Sequence, residues 1–217
     1  MNPNQELWEK GDFTEIAAFM RQSGESVVKS LGIAAPLRAL DLGCGDGTTA
    51  VPLALAGAEV VGIDIARNLV DAGNKRAAEA GLNRLRFQQG DACNLRGVGD
   101  HSFDLTLSVF GAMFAPKPFD VAKEMVRVTK PGGRIVMGNW IPNDPTSFVS
   151  PDKPPTDVVE SFRRFYGPTM NAFEAAQKNG KVEDLHNQLL ELANAQNRST
   201  VGGTAIPATF LRVTVSV

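Results

Sequence analysis

The chain has 217 residues, with 22 lysines and arginines against 24 aspartates and glutamates, so its formal net charge is −2. This balance leaves no basic excess for a nucleic acid or an anionic membrane, and no run of about 18 apolar residues offers a membrane span. Cys44 and Cys93 do not form a disulfide framework, and no basic-then-apolar leader opens the sequence. We therefore expect one cytoplasmic domain without nucleic-acid or membrane partners, and its oligomeric state stays open.

Helix-like and strand-like segments alternate along the first two thirds of the chain. Apolar spacing predicts a helix over 12–31, with Asp12 and Glu15 as a capping box. Strands are predicted at 39–42, 59–63, 85–89, 103–108 and 134–140, and the helices between them end near residues 56, 80 and 129. Strands that alternate with helices form parallel sheets with right-handed crossovers. The fold class is therefore α/β, with a Rossmann-like, doubly wound, mostly parallel sheet.

A glycine-rich turn follows the first predicted strand, in the segment ALDLGCGDG. Its glycines are Gly43, Gly45 and Gly47, and the GxGxxG pattern of dinucleotide binders fails because Thr48 takes the last position. Bare backbone and the N–H groups of the next helix suit a ligand that carries a carboxylate. The turn thus favours a nucleoside with a small zwitterionic tail, and a purely structural turn is the alternative.

Unusual residues also follow the next three strands, and such strand ends are where doubly wound sheets bind ligands. Asp64 can accept hydrogen bonds from two ribose hydroxyls, each worth roughly 1.5–3 kcal/mol, or it can cap the following helix. Asp91 can accept from an exocyclic amine of a base, or form an ordinary Asx turn. The apolar loop over 108–116 is expected beside the reacting atoms, with core or an oligomer surface as its alternatives.

The segments DLGCGDG, VVGID, GDA, FDLTLSVFGAMFAP and VTKPGGRIVMGNW resemble, in order and spacing, those of class I S-adenosylmethionine (SAM) methyltransferases. They look most like the broad, type 11-like small-molecule branch that includes the quinone-biosynthesis C-methyltransferases. The resemblance covers roughly residues 1–140, and WEKGDFTEIA resembles the helix that closes over SAM in this group. It implies SAM as cofactor and in-line transfer of the SAM methyl group to a small-molecule acceptor.

The resemblance also implies site residues, which match the family by position. Those expected around the methionine part of SAM are Asp41, Gly43, Cys44, Gly45 and Gly47. Those expected at the nucleoside are Asp64 and Ile65 at the ribose and base, and Asp91 and Ala92 at the adenine edge. Ser108 is expected to place backbone near the sulfur, and Phe13 to contact the cofactor from the lid.

No catalytic side chain and no metal site is predicted. A sulfonium methyl is already activated, so the main task is to align the acceptor with the S–CH₃ bond, and a base is needed only for an acceptor that must lose a proton. His101 and His186 are interpreted as a loop and a helix-surface residue, and Tyr166 as first a packing residue. No cluster has zinc-ligand spacing. The 108–116 loop and three further phenylalanines favour an apolar or aromatic acceptor. These phenylalanines are Phe148, Phe162 and Phe173.

The C-terminal third departs from the family pattern. Residues 141–156 are proline-rich without a clear helix, helices are predicted over 157–166, 168–179 and 182–197, and strict alternation predicts a strand over 209–217. We expect this strand to be the family's antiparallel seventh, beside strand five, with the sixth strand missing. One domain would comprise a lid helix (1–35), a SAM-binding core (36–140), and a helical cap with the last strand (141–217). A SAM-binding protein without turnover and an NAD-dependent oxidoreductase are the alternatives.

Overall fold

A computed structural model describes residues 4–33, 36–141, 152–207 and 209–217 of the chain. Its strands are β1 (Arg38–Leu42), β2 (Glu59–Asp64), β3 (Leu85–Gln89), β4 (Phe103–Val109), β5 (Thr129–Trp140) and β6 (Phe210–Ser216). They form one sheet in the order β3-β2-β1-β4-β5-β6, in which β1 to β5 are parallel and β6 is antiparallel to β5. The predicted α/β class and its mostly parallel sheet are confirmed.

The helices fall into three groups along the chain. Those before the sheet are α1 (Asn4–Glu9), α2 (Phe13–Ala17) and α3 (Arg21–Ser30). Those between the strands are α4 (Ala50–Leu55), α5 (Arg67–Glu79) and α6 (Pro118–Val128). Those between β5 and β6 are α7 (Pro155–Phe165), α8 (Gly167–Lys178) and α9 (Val182–Gln196). Each helix in the described ranges is too short or too polar to cross a lipid bilayer.

Helices cover the central strands on both faces, which explains why these strands are nearly continuous apolar runs. Ala39 of β1 lies in a buried cluster with residues of α3, α4 and α5. Leu40 and Leu42 of the same strand lie in a second cluster, with residues of α6. The alternation of side chains along β1 thus divides the core into two layers, and the carboxyl end of β1 lies between them.

The prediction of one continuous helix over 12–31 is wrong. Helix α2 ends at Ala17, a tighter 3₁₀ turn spans Ala18–Met20, and α3 begins at Arg21. Asp12 does cap the start, because its carboxylate accepts the Thr14 N–H at 3.1 Å. The interruption lets the two halves take different partners, since α2 contacts α7 while α3 contacts α4. Apolar spacing alone could not show this division, because both halves keep the helical period.

The predicted start of the fifth strand is also wrong. The sequence predicted that residues 131–133 end a helix and that the strand begins at 134. In the structure β5 begins at Thr129 and includes Pro131-Gly132-Gly133. The pairing register with β4 shifts between the Phe103–Thr129 and Leu105–Arg134 pairs, so the extra residues form an irregularity within the strand. Gly132 permits it through a left-handed φ of +79°, and its N–H donates to the Val217 carbonyl at 2.7 Å.

The C-terminal region agrees with its prediction. Helices α7 to α9 lie where three helices were expected, and β6 pairs antiparallel with β5 from Arg134–Ser216 to Trp140–Phe210. Within the described ranges the sheet has six strands and no seventh. Most of the proline-rich segment, including Phe148, lies outside the described residues.

Candidate cofactor and acceptor site

A cavity of about 600 Å³ lies at the carboxyl ends of the parallel strands. Its floor consists of the loops that follow β1, β2, β3 and β4, and residues of α1, α2, α3 and α7 form its other walls. This volume is within the range of small-molecule and cofactor sites. The separate strand ends that the sequence singled out therefore meet around one space.

The glycine loop, residues 43–47, forms the part of the floor after β1. Gly43, Cys44 and Gly45 lie on the cavity wall. Gly45 has a φ of +54°, and a Cβ built there would meet no atom within 4 Å, so the space beside its backbone is open to a ligand. A Cβ at Gly43 would lie 2.7 Å from the Gly111 Cα, where the loops after β1 and β4 touch. Gly47 lies against Phe87, away from the cavity wall.

Asp64, at the end of β2, accepts a backbone hydrogen bond with each of its carboxylate oxygens. Its Oδ1 accepts the Ala66 N–H at 2.9 Å, just before α5, and its Oδ2 accepts the Gly45 N–H at 2.8 Å. The side chain lines the cavity beside Ile65, and burial raises the pKa of its carboxyl. Cys44, next to it, is buried, and burial raises the pKa of its thiol. Asp64 thus ties the glycine loop to the second strand at the cavity edge.

Asp41 lies beneath the glycine loop rather than on the cavity wall. Its Oδ2 accepts the Thr49 hydroxyl at 2.6 Å, and its Oδ1 is buried without a hydrogen-bond partner in the described part of the chain. Burial raises the pKa of this carboxyl to about 7. A buried carboxylate oxygen without a donor disfavours the charged form, which agrees with the raised pKa.

The loops after β3 and β4 contribute in different ways. Asp91 and Ala92 line the cavity, and Asp91 also forms the alternative Asx turn, because its Oδ1 accepts the Cys93 N–H at 2.8 Å. Ser108 is buried: its hydroxyl donates to the Leu42 carbonyl at 2.7 Å and accepts the Ala112 N–H at 2.9 Å. Ser108 therefore braces the loop after β4 against β1, and the residues that follow it form the cavity wall.

The comparisons with known proteins agree with this geometry. A family described as "Methyltransferase domain" matches residues 40–137. The demethylmenaquinone methyltransferase of Paenarthrobacter aurescens is 36% identical over 114 residues, which are 52% of this chain and 43% of that protein. The YcgJ protein from Bacillus subtilis superposes with a TM-score of 0.52 at 30% identity, covering 57% of this chain and 53% of the other. Residues 40–137 thus match the methyltransferase domain family, and the sheet has the fold of the class I SAM-dependent methyltransferases.

Two other similar proteins show how much of the chain is matched. An uncharacterised protein of Mycobacterium tuberculosis is 36% identical over 135 residues, 62% of this chain and 48% of that protein. The chain thus spans about half the length of the curated relatives it matches. A SAM-dependent methyltransferase from Aquifex aeolicus has a TM-score of 0.52 at 20% identity, covering 64% of this chain and 73% of the other, and shows the shared fold.

The cofactor of class I methyltransferases is SAM, and the residues around the cavity fit it. The open space beside Gly45 has room for a ligand against bare backbone. Asp64 and Asp91 offer carboxylates on the cavity wall at successive strand ends, whereas the buried Oδ1 of Asp41 lies beneath the loop. The individual contacts of the predicted site residues with SAM stay predictions.

The other half of the cavity is aromatic. Its first part is a cluster of five rings, called here the lid cluster: Trp8, Phe13, Phe114, Phe162 and Tyr166. Trp8 is central to it, with ring centroids 5.2 Å from Phe114, 5.8 Å from Phe13 and 6.0 Å from Tyr166. Such pairs contribute about 0.5–1.5 kcal/mol each beyond the area they bury. Phe13 lines the cavity as a member of this cluster.

The second part of the aromatic half is a sheet cluster of Phe110, Trp140 and Phe210. The ring of Phe110 stacks on Trp140 with centroids 3.8 Å apart and meets Phe210 edge-on at 5.4 Å. Phe110 has a φ of +55°, a strained conformation for a residue with a bulky side chain, and its N–H donates to the Gly138 carbonyl at 2.8 Å. This stack and hydrogen bond hold the loop after β4 at the cavity.

An ion-pair network behind the glycine loop was missed by the sequence analysis. Arg21 of α3 holds Asp46 with both guanidinium Nη atoms, one of them at 2.8 Å, and its Nη1 also reaches the Thr48 hydroxyl at 2.7 Å. Arg76 of α5 donates to the Asp46 carbonyl at 2.6 Å. An acidic residue between two glycines was the available signal, but its partners lie far along the chain.

Proposed function

We propose that this chain transfers a methyl group from SAM to a small-molecule acceptor that binds in the aromatic half of the cavity. The observation that carries the proposal is the continuity of the site. One cavity is lined by the glycine loop, Asp64 and Asp91 on one side and by the lid and sheet clusters on the other. A cofactor and an apolar acceptor can therefore lie in contact, which methyl transfer requires.

When bound, SAM supplies an activated methyl group on a sulfonium. The contribution of the protein is then alignment, which is worth about 7–11 kcal/mol of a reaction barrier in well-oriented systems. Gly43, Cys44 and Gly45 would hold the methionine part, with Asp41 and Gly47 supporting this loop from outside the cavity wall. Asp64 and Ile65 would lie at the ribose, Asp91 and Ala92 at the adenine edge, and Phe13 over the cofactor. Ser108 acts through its hydrogen bonds to Leu42 and Ala112, which position the loop beside the reacting atoms.

The nature of the cavity wall supports an apolar, ring-bearing acceptor. The lid and sheet clusters present aromatic faces, which bind flat apolar molecules well. The named relatives act on demethylmenaquinone, a small molecule, which supports the same class here. We also propose that the chain divides into a lid (1–35), a cofactor core (36–140) and a cap (141–217). A cytoplasmic location belongs to the same proposal and is supported by the two free cysteines. We propose no nucleic-acid partner.

Thermal denaturation with SAM, S-adenosylhomocysteine and NAD tests the cofactor. A ligand at 100 times its Kd adds about 2.7 kcal/mol, or several degrees for a domain of this size. We expect SAM and its product to raise the Tm, and Asp64→Ala to abolish the shift. Asp71→Ala, on the exposed side of α5, is the matched control and should keep it. A shift with NAD alone would contradict the proposal.

Transfer of a radiolabelled SAM methyl group to a panel of ring-bearing acceptors then separates an enzyme from a SAM-binding protein without turnover. We expect product with at least one acceptor, and its loss in Asp64→Ala but not in Asp71→Ala. Cofactor binding without transfer to any acceptor across the panel would favour the binding-only alternative.

A further inference from the structure

Tyr166 is the single tyrosine of the chain, and the fold holds it at a helix junction beside the cavity. It is the residue between α7 and α8, where its N–H donates to the Phe162 carbonyl at 3.1 Å and its carbonyl accepts the Met170 N–H at 2.9 Å. A Cβ on the following Gly167 would lie 2.2 Å from the Leu7 carbonyl oxygen, so this junction presses directly on α1. The backbone of Tyr166 is thus fixed from both sides.

The ring of Tyr166 is packed, but its hydroxyl has no partner within the described ranges. Its centroid lies 5.9 Å from Phe13, 5.4 Å from Phe162 and 6.0 Å from Trp8. Burial raises the pKa of the phenol, and neither a hydrogen bond nor a charge contributes to that shift. The hydroxyl therefore stays protonated at neutral pH and keeps its capacity to donate.

The surroundings make this hydroxyl an unusual feature of the acceptor side. The walls near Tyr166 are formed by aromatic rings of the lid cluster, and the nearby amide of Asn4 already donates to the Phe114 carbonyl. Packing alone would be served equally well by phenylalanine at this position. A hydroxyl in an apolar wall discriminates between ligands that can and cannot hydrogen-bond to it.

We propose that Tyr166 determines acceptor specificity: its hydroxyl hydrogen-bonds an oxygen atom on an otherwise apolar, ring-bearing acceptor. The inference rests on the proposed methyltransferase function for the identity of the cavity, and it adds the polar contact that orients the acceptor. The oxygen would anchor one edge of the ring, so that the rest of the molecule lies against the aromatic walls and faces the cofactor half.

Binding of 2-naphthol and naphthalene, in saturating S-adenosylhomocysteine, tests this contact because the two probes differ by one oxygen. We expect the parent protein to bind 2-naphthol about tenfold more tightly than naphthalene. Tyr166→Phe keeps the ring and should remove that preference while leaving naphthalene affinity unchanged. Phe13→Leu, the control for ring packing, should weaken both probes alike.

A single carbon-13 label on the ring of tyrosine gives an independent readout, since only Tyr166 carries it. We expect 2-naphthol to shift this NMR signal more than naphthalene does. Equal loss of both probes in Tyr166→Phe, an unchanged preference for 2-naphthol, or failure of both probes to bind the parent would overturn the inference. The Tm shift caused by SAM is measured on the same samples. Absence of that shift would indicate failure of the proposed function, whereas its presence would limit the failure to the inference about Tyr166.

Discussion

The carboxylate of Asp64 accepts the backbone N–H of Gly45 at 2.8 Å, so the residue that ends β2 sets the conformation of the loop after β1. The expected ribose contact and the expected methionine loop are therefore one structural unit. A change at either residue should be felt at both ends of the cofactor.

Gly45→Ala should separate cofactor binding from folding. The added methyl group meets no protein atom within 4 Å but enters the cavity, so we expect at least a tenfold loss of SAM affinity. The left-handed φ of +54° should cost about 1–2 kcal/mol of unfolding free energy. Calorimetric titration and urea denaturation measure the two effects.

Gly81→Ala is the matched control for this substitution. Gly81 also has a left-handed φ, +66°, and open space around its Cβ position, but it lies outside the cavity wall. It should lose a similar unfolding free energy and keep its SAM affinity. Equal affinity losses in the two variants would mean that Gly45 acts through stability alone.

Arg21→Ala should destabilise the protein by about 1.5–3 kcal/mol, the typical contribution of hydrogen bonds to a charged group. The reason is that Asp46 is only 1% exposed and would keep Arg76 as its remaining cationic neighbour. Urea denaturation gives the change, and adding Asp46→Asn should recover part of it by removing the buried charge. Lys75→Ala, which breaks the exposed Lys75–Glu79 pair, should stay within about 0.5 kcal/mol. An Arg21→Ala variant as stable as the parent would contradict a structural role for this ion pair.

Asp41 should make stability depend on pH. Its carboxyl has a pKa of about 7 in the folded protein against 3.8 as a reference, so between these values the folded state binds a proton that the unfolded state lacks. Its contribution to stability is therefore present at low pH and lost as pH rises through about 7. Asp41→Asn stays neutral, and its unfolding free energy relative to the parent should increase by about 4 kcal/mol from pH 4 to pH 8.

Denaturant titrations at several pH values check this expectation for Asp41. The raised pKa of Asp64 acts in both proteins and largely cancels in the comparison. A difference between variant and parent that does not change with pH would show that Asp41 is ionised throughout.

The elements from β1 to β4 could be predicted because local features define them: apolar strands, glycines at helix ends and carboxylates at strand ends. Features that depend on distant partners could not. Arg21 is an ordinary helix residue until the fold brings it to Asp46, and Gly132 looks like a helix stop until its N–H meets Val217. The left-handed conformation of Phe110 has no local signal either, because Trp140, on which its ring stacks, lies at the end of β5.

The junction of α1 with α8 has a consequence for biosynthesis. Lys10 bonds Asn171 and Glu174, which follow it by 161 and 164 residues. At a translation rate of about 5–20 residues per second, these partners are synthesised roughly 8–30 s after Lys10. On the ribosome, β1 to β4 can pair while Trp8 still lacks Tyr166. Nascent chains would thus form the glycine loop and the strand ends of the cavity before its aromatic half is complete.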